Sequence, residues 1–384
     1  MDSFFLEDLM FNVALFGAGK IGEAIVALLG KSGRYKVRVC DIDPARAERL
    51  AKSFPNVATP HALELKNEAA TLKILAGCNA VISALPYYCN PQVAELAVKS
   101  GVHYLDLTED VEVTRQVTRL AKKGGPCLIP QCGLAPGFIS VAAMHLARSF
   151  NSIDTVKMRV GALPIYPSNR LKYNLTWSTE GLINEYGNMC EVIDDGKKQQ
   201  AFALEGYERF SLDGNEYEAF NTSGGLGSLC ETLEGKVRKL DYKSVRYPGH
   251  RELIALLMTD LRFNEDRSTL KDVFERSIPT THQDKCLIFV EVVGTVERRL
   301  VQRTYASTVY NCKVGETHFG AIQVTTASGI CTPLDLLLTG KVKASDGAPA
   351  SGVIKCEDIS LMEFLGNEFG NYYRDEKALS GISH

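Results

Sequence analysis

Apolar and polar residues follow one another along this chain in two rhythms. Phe11-Asn12-Val13-Ala14-Leu15-Phe16 is a short apolar run with strand character, and Tyr35-Lys36-Val37-Arg38-Val39-Cys40 is a second, ending at Asp41. Between them, Glu23-Ala24-Ile25-Val26-Ala27-Leu28-Leu29 reads as a helix that stops near Gly30 and Gly33. The alternation continues. Residues 79–85, 103–107 and 126–130 read as strands, with helices over residues 44–52, 91–100 and 111–123. Parallel strands joined by helices make a doubly wound α/β sheet.

After Gly137 the pattern changes. Residues 140–150 predict a helix with Val141, Met144 and Ala147 on one stripe, and 154–163 a strand. Residues 286–296 and 300–310 predict a long hairpin turning at Glu297-Arg298-Arg299. Its broad apolar faces call for cover by helices or by another subunit. Residues 320–340 return to helix, and 359–365 form a last short element. No internal repeat is evident.

The link between the first strand and the first helix carries chemistry. Gly17-Ala18-Gly19-Lys20-Ile21-Gly22 is a G-x-G-x-x-G loop with a strand before it, a helix after it and an acid at the tip of the next strand. Gly17 permits the tight turn, Gly19 lets backbone approach a pyrophosphate, and Gly22 lets helix and strand pack closely. The helix-start amides around Lys20 and Ile21 favour the phosphates. Asp41 is placed to accept hydrogen bonds from an adenosine ribose. A carboxylate there repels a 2′-phosphate, so NAD is expected over NADP. Ligands of such sheets bind beyond the C-terminal strand ends. Leu85, Pro86, Tyr87, Asp106, Thr108, Glu109 and Cys132 all fall there, as candidate contacts to nicotinamide or substrate.

Composition removes other classes. Lys+Arg 43 against Asp+Glu 46 gives a net charge of −3, which argues against a dedicated nucleic-acid or membrane-surface binder. No run of 18 apolar residues suggests a membrane span. The acidic opening, Met1 to Asp8, lacks the basic start of a secretory signal, so a cytoplasmic location is expected. The 11 cysteines contain no Cys-x-x-Cys pair and no neighbouring histidine cluster, so no metal site is expected and free thiols are.

Four segments together resemble the saccharopine dehydrogenase family: Ile82-Ser83-Ala84-Leu85-Pro86-Tyr87, Gly101-Val102-His103-Tyr104-Leu105-Asp106, Gly133-Leu134-Ala135-Pro136-Gly137 and Arg246-Tyr247-Pro248-Gly249-His250. Phe220-Asn221-Thr222-Ser223-Gly224-Gly225-Leu226, with Cys230-Glu231-Thr232-Leu233-Glu234-Gly235, is similar to its lysine 6-dehydrogenase branch. The resemblance implies a Rossmann domain over residues 1–132, an inserted mixed α/β substrate domain over 133–318, and a helical segment, 319–384, returning to the first domain. It also implies NAD(P)-linked oxidation of a lysine-derived amine to 2-aminoadipate 6-semialdehyde, in a homodimer or larger homo-oligomer. Family reductases that make or cleave saccharopine usually carry an Arg or Ser where Asp41 stands, which moves the expectation toward lysine 6-dehydrogenase.

Amine oxidation needs a deprotonated nitrogen held against the nicotinamide. Asp106 or Cys132 is the candidate proton acceptor, and Tyr87 a candidate for orienting the amine. The substrate's α-carboxylate wants a bidentate Arg, and Arg246 is the first choice, with Thr222 and Ser223 second. His250 is a candidate polar contact or relay. A saccharopine dehydrogenase would need further cations, for which Arg170 and Lys172 are available. A third possibility is a sensor that binds NAD without turnover. Asp41→Ala is expected to weaken NAD binding more than NADP binding. Equal loss for both cofactors in a titration would reject the ribose role given to Asp41.

Overall fold

The computed structural model describes residues 10–343 and 350–374. The acidic opening and residues 346–349 of the tail lie outside them. The described residues divide into two compact units: 10–137, 313–317, 326–343 and 350–372 make the first, and 138–312, 318–325 and 373–374 the second.

The first unit is a Rossmann-type α/β layer. Its elements run β1 (Phe11–Phe16), α1 (Lys20–Lys31), β2 (Tyr35–Asp41), α2 (Pro44–Ser53), β3 (Ala58–Ala62), α3 (Glu68–Leu75), β4 (Ala80–Ser83), α4 (Asn90–Ser100), β5 (His103–Asp106), α5 (Val111–Arg119) and β6 (Cys127–Ile129). Local chemistry sets several boundaries. Asp43 caps α2 by accepting from the Ala45 amide at 3.0 Å, with Pro44 at the first helical position. Asp110 caps α5 through the Val113 amide at 2.8 Å. Gly101, at φ 69°, closes α4 in the left-handed conformation.

Strand order is β6-β5-β4-β1-β2-β3, every pair parallel, so the order reverses between β1 and β4. Phe16, Val81, Val93, Leu96, Tyr104 and Leu128 lie in a buried cluster of this layer. The sheet adds a member the sequence reading missed: β3, whose Pro60 and exposed residues suit an edge strand and disguise it as a loop.

The second unit is built on a mixed sheet. Its elements run α6 (Phe138–Ala147), β7 (Ser152–Pro164), α7 (Thr179–Gly187), β8 (Cys190–Asp194), β9 (Lys197–Ala201), β10 (Glu208–Leu212), β11 (Asn215–Asn221), α8 (Leu229–Leu233), β12 (Val237–Arg246), α9 (His250–Ala255), α10 (Arg267–Ser277), β13 (Asp284–Val296) and β14 (Arg299–Tyr310). The order is β10-β11-β12-β7-β13-β14, with β7 and β12 parallel and the rest of this path antiparallel. The expected hairpin is β13 and β14, closing with Val296 opposite Arg299. Helix α6 covers β7, β13 and β14, which is the helical layer the hairpin's apolar pattern called for.

Beyond a short hairpin, β15 (Cys312–Val314) and β16 (Thr317–Phe319), comes α11 (Ala321–Leu338). It runs unbroken through Gly329 and Pro333. Gly329 is required: a Cβ there would lie 2.6 Å from the Gly133 carbonyl and 2.8 Å from that of Cys132. This helix is long and apolar enough to cross a membrane, but 83% of that span is buried inside the chain. Asp335 on α11 accepts from Tyr35 Oη at 2.5 Å and Asn367 Nδ2 at 2.6 Å, which ties the returning segment to β2. Residues 352–353 add β17 (Gly352–Val353) beside β6, and the expected last element is α12 (Leu361–Gly366). All 11 cysteines are free thiols.

Candidate functional site

Gly17 has φ +109°, and a side chain there would bring its Cβ to 2.5 Å from the Ala84 carbonyl oxygen. A Cβ on Gly22 would run into the Gly17 carbonyl. These two glycines let the turn lie against the end of β4 and against α1. Gly19 differs: a Cβ there meets nothing within 4 Å. Its backbone faces open space and its φ of −85° is ordinary, so steric crowding inside the chain does not explain a glycine at this position.

Helix α1 starts immediately after Gly19 with no side chain capping it. The first-turn amides of Lys20, Ile21 and Gly22 point out of that helix end, as in any α-helix. Open space, helix-end amides and a missing side chain suit a diphosphate. Asp41 is buried at the end of β2. Its Oδ2 accepts from the Ala18 amide at 2.8 Å and its Oδ1 from the Asp43 amide at 2.9 Å. The carboxylate is thus fixed beside the glycine loop, where a dinucleotide's adenosine ribose would lie. Arg46, five residues past Asp41 and a cation that could meet a 2′-phosphate, leans on Asp43 at 3.5 Å.

Past β4, Leu85 and Tyr87 are half-buried and Pro86 is exposed. Asp106 ends β5 and is fully buried. Its carboxylate accepts from Tyr104 Oη at 2.7 Å, the Thr108 amide at 3.0 Å and the Gln131 amide at 2.9 Å. Burial pushes its carboxyl up to about 6 against the pull of these donors. Asp106 therefore ties the loop after β5 to the loop after β6. Cys132 is also fully buried, its Sγ 3.0 Å from the Ile129 carbonyl and 3.7 Å from Cys356 Sγ. Burial first, then Cys356, holds this thiol far above its ordinary range and therefore protonated. Of the three residues expected around the reacting amine, Tyr87 alone reaches the surface.

In the second unit Arg246 and His250 come together. Arg246, at the end of β12, is 3% exposed. Its guanidinium carbon lies 5.1 Å from the Tyr173 ring centre and 5.8 Å from that of Tyr186. Nε donates to Tyr186 Oη at 3.0 Å and Nη1 to the Val245 carbonyl at 2.9 Å, while Nη2 stands 4.0 Å from Glu185. His250 is 1% exposed, with Nδ1 2.7 Å from the Leu171 carbonyl and Nε2 3.0 Å from Tyr186 Oη.

The proton positions in this chain follow from the acceptors. A carbonyl can only accept, so Nδ1 carries the hydrogen. Nε2 then accepts from the Tyr186 hydroxyl, whose oxygen accepts from Arg246. Burial, then the Arg246 charge, pushes His250 down to about 3, so the ring is neutral at physiological pH. Both of its nitrogens are committed, which makes His250 a brace for Tyr186 and not a relay.

Thr222 Oγ1 and Ser244 Oγ share a hydrogen bond at 2.8 Å, and Ser223 Oγ donates to the Asn184 carbonyl at 3.2 Å. The sequence reading found Arg246 but missed Tyr173 and Tyr186, because a tyrosine in a loop or helix carries no pattern separating a cation cradle from core. Among the described residues no group of three or more His, Cys, Asp or Glu could hold a metal ion.

Comparison with known proteins adds three findings. Residues 13–129 match the family described as the saccharopine dehydrogenase NADP binding domain, and residues 133–363 the saccharopine dehydrogenase C-terminal domain. Among sequences, saccharopine dehydrogenase [NADP(+), L-glutamate-forming] of Saccharomyces cerevisiae is 26% identical over 192 residues, covering 48% of this chain and 43% of that protein. Mitochondrial alpha-aminoadipic semialdehyde synthase of Bos taurus is 25% identical over 193 residues, covering 48% of this chain and 21% of that protein. The chain thus aligns with less than half the length of these relatives.

Among solved structures, apo saccharopine dehydrogenase (L-Glu forming) from Saccharomyces cerevisiae superposes with a TM-score of 0.75 at 18% identity, covering 94% of this chain and 96% of that one. Homospermidine synthase from Legionella pneumophila, in complex with NAD, gives 0.67 at 14% identity, covering 94% and 89%. Both share the fold.

Burying a neutral imidazole makes stability depend on acid. Above about pH 6.5 His250 is neutral in folded and unfolded chain alike, and its contribution is fully present. As the pH falls from there toward about 3, the unfolded chain binds a proton that the folded chain refuses, and stability drains away. Denaturant unfolding of the parent and of His250→Gln at a series of pH values from 7 to 4 checks this. The parent should lose stability more steeply with acid than the variant. Parallel curves would show that His250 titrates normally in the fold.

Proposed function

This chain belongs to the saccharopine dehydrogenase family, and from that premise we propose that it is an NAD-linked dehydrogenase of a lysine-derived amino acid, oxidising the C6 carbon–nitrogen bond to an imine that water hydrolyses, with release of ammonia, to give 2-aminoadipate 6-semialdehyde, with lysine itself as the substrate. The observation that carries this reading is Arg246: a buried guanidinium between two tyrosine rings, its Nη2 4.0 Å from the nearest carboxylate oxygen. A permanently charged, planar donor held in this way fits one α-carboxylate.

The cofactor would be held by Gly17, Gly19 and Gly22, the amides of Lys20 and Ile21, and Asp41, with Leu85 and Pro86 beside its nicotinamide half. Bound there, the nicotinamide supplies a hydride acceptor. The remaining work belongs to the chain. Arg246 holds the carboxylate, and the Tyr186–His250 brace keeps the guanidinium from turning. Tyr87 orients the reacting amine. Asp106, whose carboxylate is already taken up by three donors, and Cys132, held as a protonated thiol, act by holding the loop after β6 in shape and not by taking the substrate's proton. Asp41 supports NAD, although the matched N-terminal family domain is described by NADP.

A glutamate-forming saccharopine dehydrogenase is the second reading. The names of the matched relatives favour it, and so does one observation. Lys172 Nζ donates to the Pro248 carbonyl at 2.9 Å, and exposed Arg170 lies on the other side of Leu171, whose carbonyl receives His250. Those two cations suit the additional carboxylates of saccharopine.

Following reduced cofactor by absorbance, with lysine or saccharopine and NAD or NADP, separates the readings. Lysine with NAD should turn over, and Arg246→Lys should raise KM for lysine about a hundredfold while changing kcat less. Turnover of saccharopine alone would replace the first reading by the second. Tight NAD binding with no turnover of any basic amino acid would make the chain a sensor.

A further inference from the structure

Folded chains pair nearly all of their buried polar groups, so an unpaired one marks a place where something else belongs. Among the described residues four buried side-chain atoms lack a partner: Gln131 Nε2, Asn174 Oδ1, Thr176 Oγ1 and Ser328 Oγ. Gln131 is the one that also lies at the C-terminal edge of the parallel sheet, two residues beyond the end of β6. It is 5% exposed, and its φ of 64° places a non-glycine residue in the left-handed region. That conformation is maintained: the Gln131 amide donates to Asp106 Oδ1 at 2.9 Å, and the Cys356 thiol lies 3.4 Å from the Gln131 carbonyl. The fold therefore holds a side chain in a costly backbone conformation and leaves its donor without an acceptor.

The strand order says which kind of acceptor is missing. Asp41 and β2 lie on one side of the β1/β4 crossover, and β5 and β6 on the other. A dinucleotide with its diphosphate on the glycine loop and its adenosine at Asp41 turns its opposite end toward β4, β5 and β6. That end carries a primary carboxamide on the nicotinamide ring, a neutral group with one carbonyl acceptor. A neutral, desolvated amide donor matches a neutral carbonyl better than a carboxylate, which would draw a cation. We propose that Gln131 Nε2 is the donor to the carboxamide oxygen of the nicotinamide, with Asp106 as the positioning residue that fixes Gln131 through its backbone. This rests on the dinucleotide reading given above and adds to it a residue of the loop after β6.

The test is calorimetric, and turnover is not needed. NADH and ADP-ribose, which lacks the nicotinamide, are titrated into the parent chain, Gln131→Met and Gln131→Asn. Methionine keeps the length and bulk without the amide. Asparagine tolerates left-handed backbone but is too short to place the donor, so it serves if the methionine variant fails to fold. Melting curves identify the variants that remain folded. The dissociation constant for NADH should rise about tenfold in the variants, the worth of one well-made hydrogen bond, while that for ADP-ribose stays within about twofold. Unchanged NADH affinity in a folded variant overturns the proposal, whether Nε2 holds an ordered water or a raised KM for the amine shows it facing substrate. Equal weakening of NADH and ADP-ribose also overturns it, since the effect would then lie outside the nicotinamide. Failure of the parent to bind either ligand would overturn the dinucleotide reading itself and is distinguishable from all of these outcomes.

Discussion

Backbone meets backbone where the Gly17 turn lies against the end of β4, so closely that one added carbon would stand 2.5 Å from the Ala84 carbonyl. The rest of the first unit's edge is arranged around that contact. It places the loop between β1 and β4, where the order of the sheet reverses, and a doubly wound sheet opens its crevice there. It also explains the division of labour among three glycines. Gly17 and Gly22 are glycines because protein fills the space a side chain would need. Gly19 is a glycine although that space is empty.

The same edge shows how buried polar groups shape a surface without reaching it. Asp106 collects three donors from β5, the residues after it and the loop after β6. Leaving any of them unmet inside the fold would cost roughly 1–3 kcal/mol, so the loop is held firmly. In the second unit, Tyr186 and His250 do the equivalent for Arg246, by a hydrogen-bond chain whose direction is fixed at one end by the Leu171 carbonyl. Each unit thus places one group by means of residues behind it, a requirement for any site that must hold its ligand in a defined pose.

Much of this was legible in the sequence, and the failures have physical causes. The β1-α1-β2 unit could be read because its glycine spacing, apolar runs and terminal acid are local signals. The β13–β14 hairpin was legible for the same reason, since its partners are adjacent in sequence. Strand β7 was found but its parallel neighbour β12 was not, because that pairing joins residues about 80 positions apart and leaves no local trace. Helix α3 buries only Thr71 and Leu75, too thin a stripe to be recognised. Asp106 and Cys132 sit at strand ends, as expected, yet burial is decided by what packs over a residue and not by its position along a strand. Gln131 had one faint signal, a glutamine between Pro130 and Cys132-Gly133. Its left-handed backbone and unpaired amide exist only in the fold.

Gly19 gives the most direct test of a dinucleotide on this edge. NADH is titrated calorimetrically into the parent chain and into Gly19→Ala, with thermal unfolding of both measured alongside. Because the added methyl would meet nothing within 4 Å inside the chain, both should melt at the same temperature. The methyl instead occupies the space left for the diphosphate, so the variant should bind NADH at least about tenfold more weakly. Equal affinity of the two proteins for NADH would contradict the assignment of this loop.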